Sequence, residues 1–334
     1  MTTATRHVSL DTIRDAAADV YTVAVRTPLI RLSGDADSPQ VHLKLETLQP
    51  IGSFKIRGAY NTVRQLTQEE LSRGIWTVSA GNAAQGAALA ARACGARCSV
   101  LVMDTTPETK LRAIERLGAS IVKATYDECW RTVEEHRSDR MSGHLVHPFD
   151  DDRFISGNGT IGLEIVEDLP DVDAVIAPIG GGGLLAGVGC AIRTLRPGAA
   201  VYAAEPATAA PLAASFRAGQ PVRFDGWTAS FVDGAGGKSV LPTMWPMLRQ
   251  WVTESLVVSL DEAADAMRLV ADRMHVIAEG AAACAVAAAL SPAMTARGHR
   301  RIVAVVSGGN IDLARFAQLV GACTDGARRP DSQL

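Results

Sequence analysis

Residues 49–61 read QPIGSFKIRGAYN, and the fold turns on how this run is read. A short apolar strand pattern, Val41–Glu46, precedes it, and a helical pattern follows. Gly52 and Ser53 form the turn between them, Lys55 opens the helix, and Phe54 stands beside the amine. A lysine amine can form a Schiff base with a carbonyl compound, whereas a guanidinium cannot. A lysine at such an elbow also suits an exposed first helical turn, because lysines are mostly exposed. The rest of the chain decides between the two.

Working outward, strand-like and helix-like segments alternate. Strand patterns fall at Val41–Glu46, Ile75–Ser79, Cys98–Met103, Ser120–Lys123, Ala174–Pro178, Ala200–Ala204 and Arg301–Val306. They are short and rich in Val, Ile, Leu and Ala, as strands covered on both faces are. Capping boxes at Thr67 with Glu70, Thr125 with Glu128, and Ser259 with Glu262 mark helix starts. This alternation predicts an α/β fold with a mostly parallel sheet between helix layers. Ligands in such sheets bind beyond the carboxyl ends of the strands.

Composition narrows the class. The 334 residues are 47% apolar and 21% charged, with a formal net charge of −3. That length accommodates two domains or one large α/β unit, and the balance gives no basic footprint for nucleic acid. No apolar run approaches the roughly 20 residues that span a bilayer, so no membrane partner is expected. The start, MTTATRHVSLDT, lacks the apolar core of a signal peptide. Cys94, Cys98, Cys129, Cys190, Cys284 and Cys323 form neither a CxxC pair nor a zinc-type cluster. Scattered thiols of this kind fit a cytoplasmic protein with cysteines as small core residues. The polar tail Ala327–Leu334 is expected to fray.

Four further segments carry chemistry. In IAPIGGGGLLAGV, residues 176–188, Gly180, Gly181, Gly182 and Gly183 follow a strand and open a helix. Consecutive glycines and a helix N-terminus together gather N–H donors around one anion, which makes a phosphate cradle. The segment is not a Walker A loop, because no Gly-Lys-Ser/Thr follows. VSAGNAAQG, residues 78–86, offers Ser79, Asn82 and Gln85 among small residues after another strand. It suits a carboxylate-binding loop, or a helix capped at Ser79. In VAVVSGGNID, residues 303–312, Ser307 ends a strand and either meets a ligand heteroatom or caps a helix starting near Ile311. In AEGAAA, residues 278–283, Glu279 precedes an apolar helix, where an acid also complements the helix dipole.

A reactive lysine, a phosphate cradle, a carboxylate loop and a polar ring partner, in this order, resemble the fold type II pyridoxal-phosphate enzymes, and within them the serine/threonine dehydratase branch. The resemblance runs from about Asp11 to Leu319 and takes in Thr27-Pro28-Leu29 and HPFDDDRFISGNGTIGLEI at residues 147–165. It implies two open, mostly parallel twisted sheets flanked by helices, with the cofactor in the interdomain cleft. The large domain is expected to comprise residues 1–72 and 151–334. Residues 73–150 then form a small domain carrying the carboxylate loop. Lys55 would hold pyridoxal 5'-phosphate as a Schiff base. Phe54 would pack on the ring, and Asn82 would bond the ring hydroxyl. Gly180–Gly183 and the Leu184 amide would bind the phosphate, and Ser307 would meet the ring nitrogen. Asp233, Gly234 and Glu279 would line the far ring edge. Ser79, Ala80, Gly81, Asn82 and Ala83 would form the substrate-carboxylate loop.

The implied activity is a lyase that removes water from a β-hydroxy amino acid, L-threonine or L-serine in the simplest case, to leave a 2-oxo acid and ammonia. Lys55 would take the Cα proton once the substrate amine displaces it. Three departures refine this. Serine racemases of the family place a serine one residue before Gly-Asn as a second acid/base; here that residue is Ala80, which argues against racemisation. Relatives often place His after Asn82. Ala83 stands there instead and opens the alternative of a bulkier substrate, such as phenylserine, 3-hydroxyaspartate or a hydroxylated ectoine derivative. Relatives also supply a second carboxylate to a cation site near Glu205, where this chain has Pro211. One carboxylate with carbonyls is a poor hard-cation site, so no tight metal is expected. A β-replacement synthase is disfavoured because Ser79-Ala80-Gly81-Asn82-Ala83 departs from the Thr-Ser-Gly-Asn-Thr of those relatives. The family also implies a homo-oligomer, a dimer or a tetramer.

Overall fold

A computed structural model describes residues 6–33 and 39–321. The expectations for the Ala327–Leu334 tail and for Cys323 lie outside the described residues. The strands are β1 (Leu29–Ser33), β2 (Gln40–Leu45), β3 (Ile75–Val78), β4 (Cys98–Met103), β5 (Ser120–Ala124), β6 (His144–Leu145), β7 (Ala174–Pro178), β8 (Ala200–Pro206), β9 (Glu254–Val258) and β10 (Arg301–Val306). They form a six-stranded sheet, β1-β2-β10-β7-β8-β9, and a four-stranded sheet, β5-β4-β3-β6. Every pairing is parallel except β1 with β2.

Helices cover both faces of the larger sheet. Val41, Leu43, Leu45, Ile176 and Ala304 point to one side, where the helices Leu260–Met274 and Gly280–Ala289 pack. Val175, Ala177, Val201, Ala203, Val303 and Val305 point to the other, against the helices Asp152–Asp168 and Gly183–Leu195. This alternation is the two-residue period of a strand buried on both faces. Burial of each Val, Leu or Ile side chain contributes about 1.5–3 kcal/mol, so these layers dominate the core energetics.

The seven strand patterns in the sequence all correspond to strands. The three missed, β1, β6 and β9, lie at sheet edges. Edge strands expose one flank, and β9 alternates buried and exposed residues instead of running apolar throughout. Thr67 and Ser259 close reciprocal capping boxes. Thr125 is only half of one: its hydroxyl accepts from the Glu128 N–H, while the Glu128 carboxylate turns to Arg140. Of the described cysteines, Cys98, Cys129, Cys190 and Cys284 are buried and Cys94 is half-buried. Burial raises their thiol pKa values. That matches core residues and not nucleophiles.

Candidate active site

Four helices start at one place, beside the carboxyl ends of β2, β3, β7 and β10. They are Lys55–Val63, Asn82–Ala93, Gly183–Leu195 and Gly280–Ala289. Backbone pairing knits the first and last together. Ser53 forms an antiparallel bridge with Gly308, the Phe54 N–H donates to the Ser307 carbonyl at 3.0 Å, and the Glu279 N–H donates to the Gly308 carbonyl at 3.0 Å. Asn82 reaches across from the smaller sheet, its Nδ2 donating to Glu279 Oε1 at 2.9 Å and Oε2 at 3.2 Å. Lys55 Nζ donates to the Pro148 carbonyl at 2.6 Å, and the next residue, Phe149, lies against the glycine loop.

The glycine loop is as tightly built as its composition requires. A Cβ added at Gly181 would lie 2.1 Å from Phe149 Cγ, and one at Gly183 would lie 2.6 Å from the Phe149 carbonyl oxygen. Gly182, the N-cap, has φ 95°, which L side chains rarely adopt. The helix therefore begins with backbone N–H groups that the loop's own residues, having no side chains, do not cover, which suits an anion cradle.

The electrostatics are those of a proton-transfer site. The Lys55 amine is enclosed between the Phe54 ring at 5.1 Å and the Phe154 ring at 5.3 Å. Burial pushes its pKa down to about 8, against the opposing charge of Glu279. Burial likewise pushes Glu279 up to about 7, with the Asn82 hydrogen bond acting in the other direction. Two neighbouring groups moved towards neutrality by burial are a mark of functional sites.

The sequence-derived residues Phe54, Lys55, Asn82, Gly180–Gly183, Glu279 and Ser307 thus meet in one region. Two local alternatives are corrected. Ser79 does not cap the following helix, whose N-cap is Gly81; its Oγ accepts from the Gly81 N–H at 3.1 Å and shapes the loop. Ser307 does not cap a helix near Ile311, because that helix begins at Leu313 and Asp312 takes the Arg315 N–H. Glu279 is the N-cap residue of its helix, but its side chain caps nothing and faces Asn82.

Other contributors were not legible in the sequence. The Pro148 carbonyl and the Phe149 and Phe154 rings come from 93 or more residues away. Asn310 donates from Nδ2 to Asn82 Oδ1 at 2.8 Å and to the Ile51 carbonyl at 2.7 Å. Its position after Gly308-Gly309 was the only signal, and a weak one.

Glu205 is fully buried and already committed. Its oxygens accept from the Leu212 and Ala213 N–H groups at 2.8 Å each and from Ser255 Oγ at 2.6 Å. Pro211 opens the helix Pro211–Ala218, so Glu205 closes a helix N-terminus. Among the described residues no group of three or more His, Cys, Asp or Glu could hold a metal ion.

The donor set fits pyridoxal phosphate: an amine with depressed pKa, a glycine loop at a helix N-terminus, and an amide and a hydroxyl residue in the same region. Lys55, Gly180–Gly183, Asn82 and Ser307 are the residues that would hold it. Residues 20–308 match the family described as "Pyridoxal-phosphate dependent enzyme". The chain is 36% identical over 317 residues to an L-threonine ammonia-lyase of Thermotoga maritima, covering 94% of this chain and 78% of that protein. Threonine deaminase isoform 2 of Solanum lycopersicum superposes with a TM-score of 0.83 at 30% identity, covering 97% of this chain and 98% of that one. Maize serine racemase superposes with a TM-score of 0.84 at 31% identity, covering 94% and 97%. On the span matched and the identity reached, the chain belongs to the pyridoxal-phosphate dependent enzymes.

Proposed function

We propose that this protein is an ammonia-lyase that eliminates water from a β-hydroxy amino acid, L-threonine or L-serine, and yields the 2-oxo acid and ammonia. The observation that carries the reading is Lys55, whose amine is enclosed between two aromatic rings with its pKa lowered to about 8 and lies near a glycine cradle. Bound pyridoxal phosphate supplies an aldehyde for the substrate amine and a ring that accepts electron density from Cα. Lys55 would hold the cofactor through its amine and, once a substrate amine takes its place, would be the base that removes the Cα proton. The loop Ser79–Ala83 holds the substrate carboxylate with N–H groups at the start of its helix. The cradle would anchor the phosphate, and the Ser307 hydroxyl would meet the ring nitrogen without charging it. The Cβ hydroxyl leaves as water by taking up one proton, which balances the proton Lys55 removes from Cα, and a water returns when ammonia is released.

Similarity to serine racemase makes racemisation the second reading. It requires an acid on the far face of Cα, and Ala80 supplies none. Burial of Ala83 and Ala84 favours the smaller substrates, and a bulkier β-hydroxy amino acid is the alternative. The division into a large domain (residues 1–72 and 151–334) and a small one (73–150) is supported by the smaller sheet, whose strands all fall between Ile75 and Leu145. We place the protein in the cytoplasm as a dimer or tetramer by likeness to the family. No described helix is long and apolar enough to cross a membrane.

The test is borohydride reduction of the protein loaded with pyridoxal phosphate, followed by peptide mass spectrometry. The cofactor mass is expected on Lys55. Lys55→Ala should lose 2-oxo acid release by about a thousandfold or more, with an unchanged circular dichroism spectrum. An adduct on another residue, or turnover retained in Lys55→Ala, would refute the assignment.

A further inference from the structure

Asn82 joins the two sheets at the cofactor position, and an amide side chain has a donor end and an acceptor end. Which end faces the cofactor matters, because only the NH2 end can stabilise an ionised ring hydroxyl. Glu279 alone does not settle this. With a pKa near 7 it carries a proton part of the time, and a protonated carboxyl can face either end of an amide.

A second contact does settle it. Asn310 Nδ2 lies 2.7 Å from the Ile51 carbonyl oxygen, which can only accept. That fixes the Asn310 amide with its NH2 group inward. The same NH2 group lies 2.8 Å from Asn82 Oδ1, so the Asn82 oxygen is taken and its NH2 group is turned to Glu279. Donation starts at the Asn310 NH2 group, which gives one hydrogen to the Ile51 carbonyl and one to Asn82 Oδ1, and Asn82 in turn donates to Glu279. Glycine at position 52 makes room for it: a Cβ there would lie 2.8 Å from Asn310 Oδ1.

We infer that Asn310 is a positioning residue that holds the donor end of Asn82 towards the ring-hydroxyl side of the cofactor site. The inference rests on the proposed function, since it assigns a role within the same site. Asn310 is exposed, so its hydrogen bonds contribute little to stability, and its removal isolates the orientation effect.

The experiment compares wild type, Asn310→Ala, Asn310→Asp, Asn82→Ala and the double variant Asn82→Ala with Asn310→Ala, each loaded with pyridoxal phosphate. Three quantities are read: the dissociation constant for the cofactor, the ratio of its two absorption bands, and the melting temperature of the apoprotein. Asn310→Ala should weaken cofactor binding about tenfold and shift the band ratio away from the ionised form, with the apoprotein melting temperature unchanged. Asn310→Asp keeps the shape but offers only acceptors, so it should shift the ratio at least as far. In the Asn82→Ala background, Asn310→Ala should add nothing, because it acts through Asn82. An unchanged band ratio in both Asn310 variants, or a full additive effect in the double variant, overturns the inference. A wild-type protein that takes no cofactor onto Lys55 overturns instead the function on which it rests.

Discussion

Lys55 Nζ donates to the Pro148 carbonyl oxygen at 2.6 Å, which ties the amine to the segment that backs the glycine cradle. An amine held this way is oriented before any ligand arrives, and its protonation state sets when it can react. Burial lowers its pKa to about 8 from 10.5, and the Glu279 charge partly opposes the shift. Uptake of pyridoxal phosphate by the apoprotein should therefore accelerate with rising pH and level off above about 8. Glu279→Gln removes the charge that favours the ammonium, so the midpoint should move to lower pH. Stopped-flow absorbance across pH checks both, and a midpoint that stays or rises contradicts the electrostatic account. The same shift gives a stability signature. Between about 8 and 10.5 the unfolded chain holds more protons on Lys55 than the folded chain does, so apoprotein stability gains with pH in that window.

Ala80 sits in the loop between β3 and the helix that starts at Asn82. Ala80→Ser places a hydroxyl where the racemases of the family carry one. The expected result is a rise of about tenfold or more in the ratio of racemised to eliminated L-serine, since general acid–base catalysis contributes at least that much. Chiral chromatography alongside a 2-oxo acid assay measures the ratio. No change would mean that the absence of a base at Ala80 is not what directs the chemistry.

Gly181 faces the Phe149 ring at a distance that leaves no space for a methyl group. Gly181→Ala must displace Phe149 or the loop, at a cost of about 1–3 kcal/mol in overpacking. The cradle should lose phosphate affinity at least about tenfold, a change of about 1.4 kcal/mol in binding. Equilibrium dialysis with pyridoxal phosphate reports this directly, and wild-type affinity in Gly181→Ala would exclude the loop as the anchor.

Two residues beyond Lys55, Arg57 is fully buried with Glu46 and Glu164, also fully buried. It donates through Nε to Glu46 Oε2 at 2.7 Å and through Nη2 to Glu46 Oε1 at 2.8 Å, and it also bonds Glu164. Lys44 is the second cation of the cluster, 2.6 Å from Glu164. Arg57→Met strands a buried carboxylate and should destabilise the protein by about 3–5 kcal/mol in urea unfolding. Adding Glu46→Gln should recover part of the loss by removing the unpaired charge. A loss within about 0.5 kcal/mol would class the cluster as incidental.

Central strands could be read in the sequence because burial on both faces leaves only apolar residues to choose from, as in AVIAP at Ala174–Pro178. Edge strands such as β1, with Arg31 exposed, carry no such signature. The chemistry-bearing motifs were legible for a related reason. A glycine run after a strand and a lysine at an elbow are local statements about backbone and reactivity. Thr125 shows where local reasoning stops: the hydroxyl caps as expected, but Arg140 draws Glu128 away.

The sequence by itself determined the alternating α/β architecture and singled out the glycine run and Lys55 as the candidate cradle and amine, because each is written in short-range pattern. Only the tertiary structure decided what surrounds them. The Pro148 carbonyl at Lys55, the Phe149 ring under the cradle and the Asn310 amide behind Asn82 arrive from distant segments. Shifted pKa values and amide orientation are properties of packing, which desolvates a charge or assigns a donor, and neither is encoded in the residue that shows it.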